Sequence, residues 1–209
     1  MKAKIFIMLV LLFFLLSLIV FTTPVSQIDI SFSRFAQSFA SRPLRLFMNF
    51  VSILGNSPYV EVLILVSSSL FLLGGKKNEA LAMFTFPALG AAIGSIIKNI
   101  VGRDRPGSET VNVFYSLGDM SYPSMHVLIF TIFFGFIAYY SLTSVKHPLI
   151  KILMIAFSVV FILSISFSRV YLGVHWLSDT IGGYLLGGIV LYLFIHTVRK
   201  LNSYHHAQR

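Results

Sequence analysis

A chain of 209 residues that is 56% hydrophobic and only 11% charged cannot cover its own surface with polar groups, since ordinary soluble domains carry roughly 25% charged residues. With a mean hydropathy of +0.86 its natural solvent is the bilayer, and its length fits one domain over residues 1–209. The absence of cysteine excludes disulfides, thiolate metal sites and cysteine nucleophiles, and the formal charge of +9, scattered between apolar runs, reads as membrane anchoring rather than nucleic-acid binding.

A spanning helix takes about 20 apolar residues. The first candidate, Ile5–Phe21, follows Lys2 and Lys4. It is longer than a signal-peptide core of about 7–15 residues and no A-x-A site follows it, so it is expected to be a retained helix. Next comes a segment from Thr22 to Ser57 in which Phe32, Phe35 and Phe39 fall on one helical face, as do Phe47, Phe50 and Leu54. That spacing predicts amphipathic helices lying in the interface, and it also fits helices packed on the bundle. Five more spans are expected at Pro58–Leu73, Ala80–Ile97, Val127–Val145, Ile152–Phe167 and Thr180–Val198, the second with Glu61 near its boundary. The fold class is therefore all-α: a polytopic membrane protein, a six-helix bundle with interfacial helices between the first two spans. The pairs Gly90–Gly94 and Gly183–Gly187 have the GxxxG spacing of close helix packing.

Charge orients this layout. One side carries Lys2, Lys4, Lys76, Lys77, Lys146, Lys151, Arg199, Lys200 and Arg209 against the single acid Glu79. The other carries Arg34, Arg42, Arg45, Lys98, Arg103, Arg105 and Arg169, nearly balanced by Asp29, Glu61, Asp104, Glu109, Asp119 and Asp179. The first side is expected to be cytoplasmic, with both termini. His147, His196, His205 and His206 fall on that side or in the tail and receive no role.

Three polar stretches lie on the other side: Lys98 to Pro106, Pro123 to His126, and Ser168 to Asp179. Each adjoins a different span, so bundling brings them to one depth. Lys98, Arg105 and Arg169 supply cations, and arginine matches phosphate oxygens with a fork of donors. Pro123 suits a first helical turn, and the N–H groups after it, with the Ser124 hydroxyl, form an anion site. His175 and Asp179 stand four apart. On a helix beginning near His175, the carboxylate would hold one ring nitrogen and leave the other to attack. His126 is a second titratable group, suited to protonating a leaving oxygen. Arg103 and Asp104 are read as neutralising each other. Each piece alone has a plainer reading: an anchor of cations, a solvated loop histidine, a helix-start pair with Asp179 on the dipole. The plainer readings must coincide three times on one side.

The motifs K-x6-R-P, P-S-x-H and S-R-x5-H-x3-D, spanning Lys98 to Asp179, resemble the three signatures of the type 2 phosphatidic acid phosphatase superfamily, the lipid phosphate phosphatases. The resemblance implies a phosphatase that uses no metal or other cofactor and acts on a phosphorylated membrane lipid: undecaprenyl diphosphate, phosphatidylglycerophosphate, phosphatidate or a lipid A phosphate. By the same resemblance His175 attacks phosphorus to give a phosphohistidine, Asp179 orients it and His126 protonates the leaving group. Lys98, Arg105, Ser124 and Arg169 hold the phosphate oxygens, with the backbone at Met125. Met125 departs from the family, whose motif has glycine there. The change is harmless if its φ is helical, and otherwise reshapes the pocket or lowers activity. A transporter or lipid-binding protein with a degenerate site is the alternative. Vanadium haloperoxidases share the motifs but are soluble.

Overall fold

The computed structural model describes residues 2–23 and 25–207 of the protein. Arg209, counted above among the basic residues, lies outside the described residues, as do the side chains of Lys2, His205 and His206. Among the described residues the secondary structure is entirely helical: α1 (Lys2–Thr22), α2 (Gln27–Ser38), α3 (Arg42–Leu54), α4 (Tyr59–Leu73), α5 (Lys77–Val101), α6 (Met125–Ser144), α7 (Pro148–Tyr171) and α8 (Leu177–Ala207).

Helices α1, α5, α6, α7 and α8 are each long and apolar enough to cross a bilayer. Helix α4 lies where a span was expected at Pro58–Leu73. Helix α4 has 15 residues, too few for a hydrocarbon core of about 30 Å at 1.5 Å per residue. It reaches spanning length only together with α3, across a 61° bend at Gly55–Pro58. Helix α3, expected to lie in the interface, packs on the C-terminal end of α7, where the Met48 carbonyl accepts from Ser168 and the Ser52 hydroxyl from Arg169, and with α4 it forms a broken span or a re-entrant turn. Helix α7 is longer than the expected 152–167. Pro148 opens it at the first helical turn, and the serines near its end do not break it, because Ser166 donates back to the Leu163 carbonyl and Ser168 to Met48 of α3.

Helix α2 is amphipathic in an inverted sense. Its buried face is polar, with Asp29, Ser33 and Gln37, while Phe35 and Phe39 are exposed. A capping box starts it: the Ser26 hydroxyl accepts from the Asp29 N–H at 3.1 Å while the Asp29 carboxylate faces the Ser26 N–H. A polar face turned inward and a phenylalanine face turned outward suit a helix lying against lipid.

Helix α6 is the centre of the bundle, packed against α5, α7 and α8. Both GxxxG pairs serve it. Gly90 and Gly94 of α5 face Leu128, Ile132 and Met125, and Gly183 and Gly187 of α8 face Val127 and Thr131. A Cβ at any of these four positions would press on α6. Phe136 of α6 stacks on Phe194 of α8 with centroids 3.9 Å apart. This packing fixes the depth at which the ends of α5 and α7 meet the starts of α6 and α8.

Candidate active site

The three polar stretches converge at one end of the bundle. Helix α5 stops at Gly102, whose φ of 61° is left-handed and whose N–H caps the Lys98 carbonyl at 2.9 Å. The chain then turns inward rather than continuing into lipid, which delivers Arg103 and Arg105 to the site. The turn between α7 and α8 uses Gly173, with a φ of 67°, where a Cβ would meet the Asn112 carbonyl. That close approach ties the loop between α5 and α6 to the α7–α8 turn.

His175 precedes α8, which starts at Leu177 rather than at the histidine itself. The expected pairing still forms: His175 Nδ1 lies 3.3 Å from Asp179 Oδ2, both side chains being buried. Asp179 Oδ2 also accepts from the Trp176 N–H at 2.8 Å and from the Ser121 hydroxyl. On the other edge of the ring, His175 Nε2 is 3.0 Å from Arg105 Nη1. A guanidinium only donates, so Nε2 accepts with its lone pair and Nδ1 carries the proton toward Asp179. Burial first, then the charges of Arg105, Arg169 and Lys98, hold the imidazole well below the ordinary histidine range. His175 is therefore neutral at pH 7, with a lone pair on Nε2.

Arg103 corrects the expectation that it neutralises Asp104. Its guanidinium lies 2.5 Å from Asp179 Oδ1, 2.7 Å from Asp29 Oδ2 and 2.7 Å from the Ser178 hydroxyl. Asp104 instead offers its backbone carbonyl to the Trp176 indole. Asp29 further accepts from the Ser178 N–H and hydroxyl. A buried chain Asp29–Arg103–Asp179–His175 results, with every member hydrogen-bonded, as buried charges require.

Lys98 and Arg105 meet at one carboxylate. Lys98 Nζ lies 2.8 Å from Asp119 Oδ2 and donates to the Met120 carbonyl, while Arg105 Nη2 lies 2.7 Å from Asp119 Oδ1. Partial burial alone would raise the Asp119 carboxyl, but the Lys98 hydrogen bond and the charges of Lys98 and Arg105 bring it down to about 2.

Arg169 is fully buried. The Ser52 and Tyr115 hydroxyls each hold its Nη1 at 2.6 Å, and the Tyr115 ring lies 5.8 Å from its guanidinium carbon. Its Nε and Nη2, and the Ser124 hydroxyl, are buried with no hydrogen-bond partner. Ser124 stands at the N-cap position of α6 without capping it through its hydroxyl, so Pro123 sits just outside the helix rather than in its first turn, and the Ser124 N–H goes to the Asp179 carbonyl at 3.0 Å. Only the N–H groups from Met125 onward are left facing out of the helix start. Met125 has a negative φ and is the first helical residue. Its thioether turns away into α5, over Gly94, so methionine meets the condition under which the departure from glycine is harmless to the backbone. His126 lies within electrostatic reach of Arg169, His175 and Arg105. Its Nε2 is 2.8 Å from Asn56 Oδ1 in the α3–α4 bend, where its ring packs flush on Gly55.

All eight expected site residues thus gather here. Sequence reasoning missed the supports: Asp29, Arg103, Ser121 and Ser178 around Asp179, Ser52 and Tyr115 on Arg169, Asn56 on His126, and Asp119. Only Arg103 and Asp119 carried a signal, as charges inside or beside a motif. Among the described residues no group of three or more His, Cys, Asp or Glu is placed to hold a metal.

A helical membrane bundle that gathers a histidine–aspartate pair, a second histidine and three cations at one end is the architecture of a membrane phosphatase. The model of the PAP2 superfamily matches residues 79–203, and the chain belongs to that superfamily. It is similar to phosphatidylglycerophosphatase B of Bacillus subtilis, 27% identical over 189 residues and covering 88% of this chain and 90% of that one. It is 30% identical over 121 residues to lipid phosphate phosphatase delta of Arabidopsis thaliana, a match covering 54% of this chain and 29% of the plant protein. It is 38% identical over 89 residues to a putative undecaprenyl-diphosphatase of Escherichia coli, covering 41% and 40%. The chain thus matches under a third of the plant relative and most of the Bacillus one. Its fold matches the crystal structure of a transmembrane PAP2-type phosphatidylglycerolphosphate phosphatase from Bacillus subtilis with a TM-score of 0.82 at 24% identity, over 93% of this chain and 96% of that one. LpxE of Aquifex aeolicus matches with a TM-score of 0.60 at 21% identity, over 82% and 96%.

Proposed function

We propose that this protein hydrolyses a phosphomonoester or diphosphate of a membrane lipid through a phosphohistidine, at the outer face of the cell membrane. The observation that carries the reading is the set of buried donors without partners, Ser124 Oγ and Arg169 Nε and Nη2, beside a neutral histidine whose Nε2 bears a lone pair. Buried donors left unpaired are costly, and a phosphoryl group supplies the oxygens that satisfy them.

The reaction follows from the contacts. The His175 Nε2 lone pair forms an N–P bond as the bond from phosphorus to the lipid oxygen breaks. Asp179 accepts from Nδ1–H and stabilises the imidazolium character that develops. His126 delivers a proton to the departing lipid oxygen. Arg169, Ser124, the backbone at Met125, Lys98 and Arg105 hold the phosphoryl oxygens and stabilise their charge in the transition state. Water then attacks phosphorus, His126 takes its proton, the N–P bond breaks and Nε2 regains its lone pair. No step calls for a metal.

The outer-face placement rests on charge. The end opposite the site carries the excess of basic residues, which favours that end and both termini in the cytoplasm. The relatives' names favour phosphatidylglycerophosphate and undecaprenyl diphosphate as substrates, with phosphatidate and lipid A phosphates in the same chemical class. Phosphate release by detergent-purified protein from a panel of these lipids, with His175→Ala alongside, tests the reading. Release by wild type and none by the variant is expected. No release from any lipid phosphate, with specific lipid binding retained, would make it a binding protein with a degenerate site.

A further inference from the structure

The two groups of phosphate-facing cations are not in equivalent states. Arg169 keeps Nε and Nη2 unpartnered. Arg105 has every N–H engaged: Nε donates to the Asp119 carbonyl at 2.8 Å, Nη1 to the Val174 carbonyl at 2.6 Å and to His175 Nε2 at 3.0 Å, and Nη2 to Asp119 Oδ1 at 2.7 Å and to the Met120 carbonyl at 3.1 Å. A guanidinium has five N–H donors, so none is left for a ligand. One of the five covers the lone pair through which His175 would attack. Lys98 is likewise turned to Asp119 and Met120.

We propose that Asp119 is an internal latch: its carboxylate occupies the place of a phosphoryl anion between Lys98 Nζ and Arg105 Nη2, and a substrate phosphoryl group must displace it to reach those two donors. This rests on the functional reading above and deepens it, because it says what an anion must do to enter. Two features make the carboxylate a competitor rather than a fixed part of the wall. Its side chain is 59% exposed, whereas those of Lys98 and Arg105 are 7% and 11% exposed. It is also borne on the loop between α5 and α6, not on a helix. An exposed loop carboxylate can leave, while the two cations it joins stay in place. Once it leaves, Lys98 Nζ and Arg105 Nη2 each have a donor for the incoming phosphoryl oxygens, while the Asp119, Met120 and Val174 carbonyls keep the guanidinium in place. An incoming anion must displace Asp119 first. A lipid phosphate offsets that cost with contacts along its apolar chain, whereas free inorganic phosphate has none. The latch therefore favours lipid-borne phosphate and speeds product release.

The sign of one substitution decides between a latch and a support. Trp176, the only tryptophan in the sequence, adjoins His175 and is buried, so its fluorescence reports anion entry without turnover. Inorganic phosphate is titrated into detergent-purified full-length wild type and Asp119→Asn. The variant is expected to bind phosphate tighter by about tenfold, the scale of removing one partly exposed competing charge. Unchanged or weaker phosphate binding would show that Asp119 only props the cations in place, and the latch would be abandoned. Asp119→Ala, at the same exposed position, replaces the amide if that variant does not fold. Wild type that hydrolyses no lipid phosphate, paired with a variant that still binds phosphate tighter, would overturn the enzymatic reading and leave the latch standing.

Discussion

Asp29 and Arg103 lie 2.7 Å apart with both side chains buried, and Arg103 passes the contact on to Asp179 at 2.5 Å. The helix that follows the first span is thereby wired to the carboxylate paired with His175. Removing one partner of a buried, hydrogen-bonded ion pair costs about 3–5 kcal/mol. Asp29→Ala is expected near the low end of that range, since Arg103 keeps Asp179 and Ser178. Thermal unfolding in detergent measures the loss, and kcat on a lipid phosphate should fall with it. Unaltered stability and rate would show that the Asp29 contact is dispensable.

Gly55 tests the placement of His126 without touching its chemistry. Its φ of −90° is open to alanine, but a Cβ there would collide with the imidazole. Gly55→Ala is expected to leave the fold intact and lower kcat by about 10²-fold, the lower end of what a general acid contributes. The loss should shrink for an aryl phosphate, whose leaving group needs no proton. An equal loss on both substrates would point to a role other than proton delivery.

Met125→Gly separates the packing of this residue from its place in the motif. The methionine side chain fills space over Gly94, so its removal is expected to cost about 2 kcal/mol of stability, as for other large-to-small changes in partly buried positions. The rate should change little. A large gain in kcat would show that methionine impairs the site.

The pH profile carries a signature of the buried imidazole. Because its folded pKa is lowered, His175 stays neutral, with the Nε2 lone pair that the proposed attack uses, below the ordinary histidine value of about 6.5, and loses that lone pair only as pH falls through the depressed value. For the same reason its contribution to stability is complete above the unfolded pKa and is lost on acidification. The enzyme's acid limb in kcat/KM should lie below pH 6.5. Profiles for two substrates of different phosphate pKa distinguish it, since only the substrate's own limb moves. An enzyme limb at or above the ordinary value would contradict a buried neutral nucleophile.

Much of the chemistry was written locally in the chain. His175 and Asp179 stand four apart, so any helical or near-helical path brings them together even though α8 starts two residues late. Long apolar runs decide by themselves that α1 and α5 to α8 lie in lipid, because no other structure satisfies their backbone there. The α3–α4 pair is different. A window of hydropathy sees an apolar stretch at Pro58–Leu73 and cannot see that α3 meets it at a 61° bend.

What the sequence could not decide is which buried charge takes which partner. Arg103 sits beside Asp104, and adjacency in the chain suggested that pair. In the folded protein Asp104 uses its carbonyl instead, and Arg103 reaches Asp29 and Asp179 through contacts between distant segments. The same holds for Asp119 on Lys98 and Arg105, and for Ser52 and Tyr115 on Arg169. Local spacing determines which groups can act. Only the packing of α2, α3 and the α5–α6 loop over the bundle end determines which of them are held, covered or left open, because desolvation and partner choice depend on the whole fold.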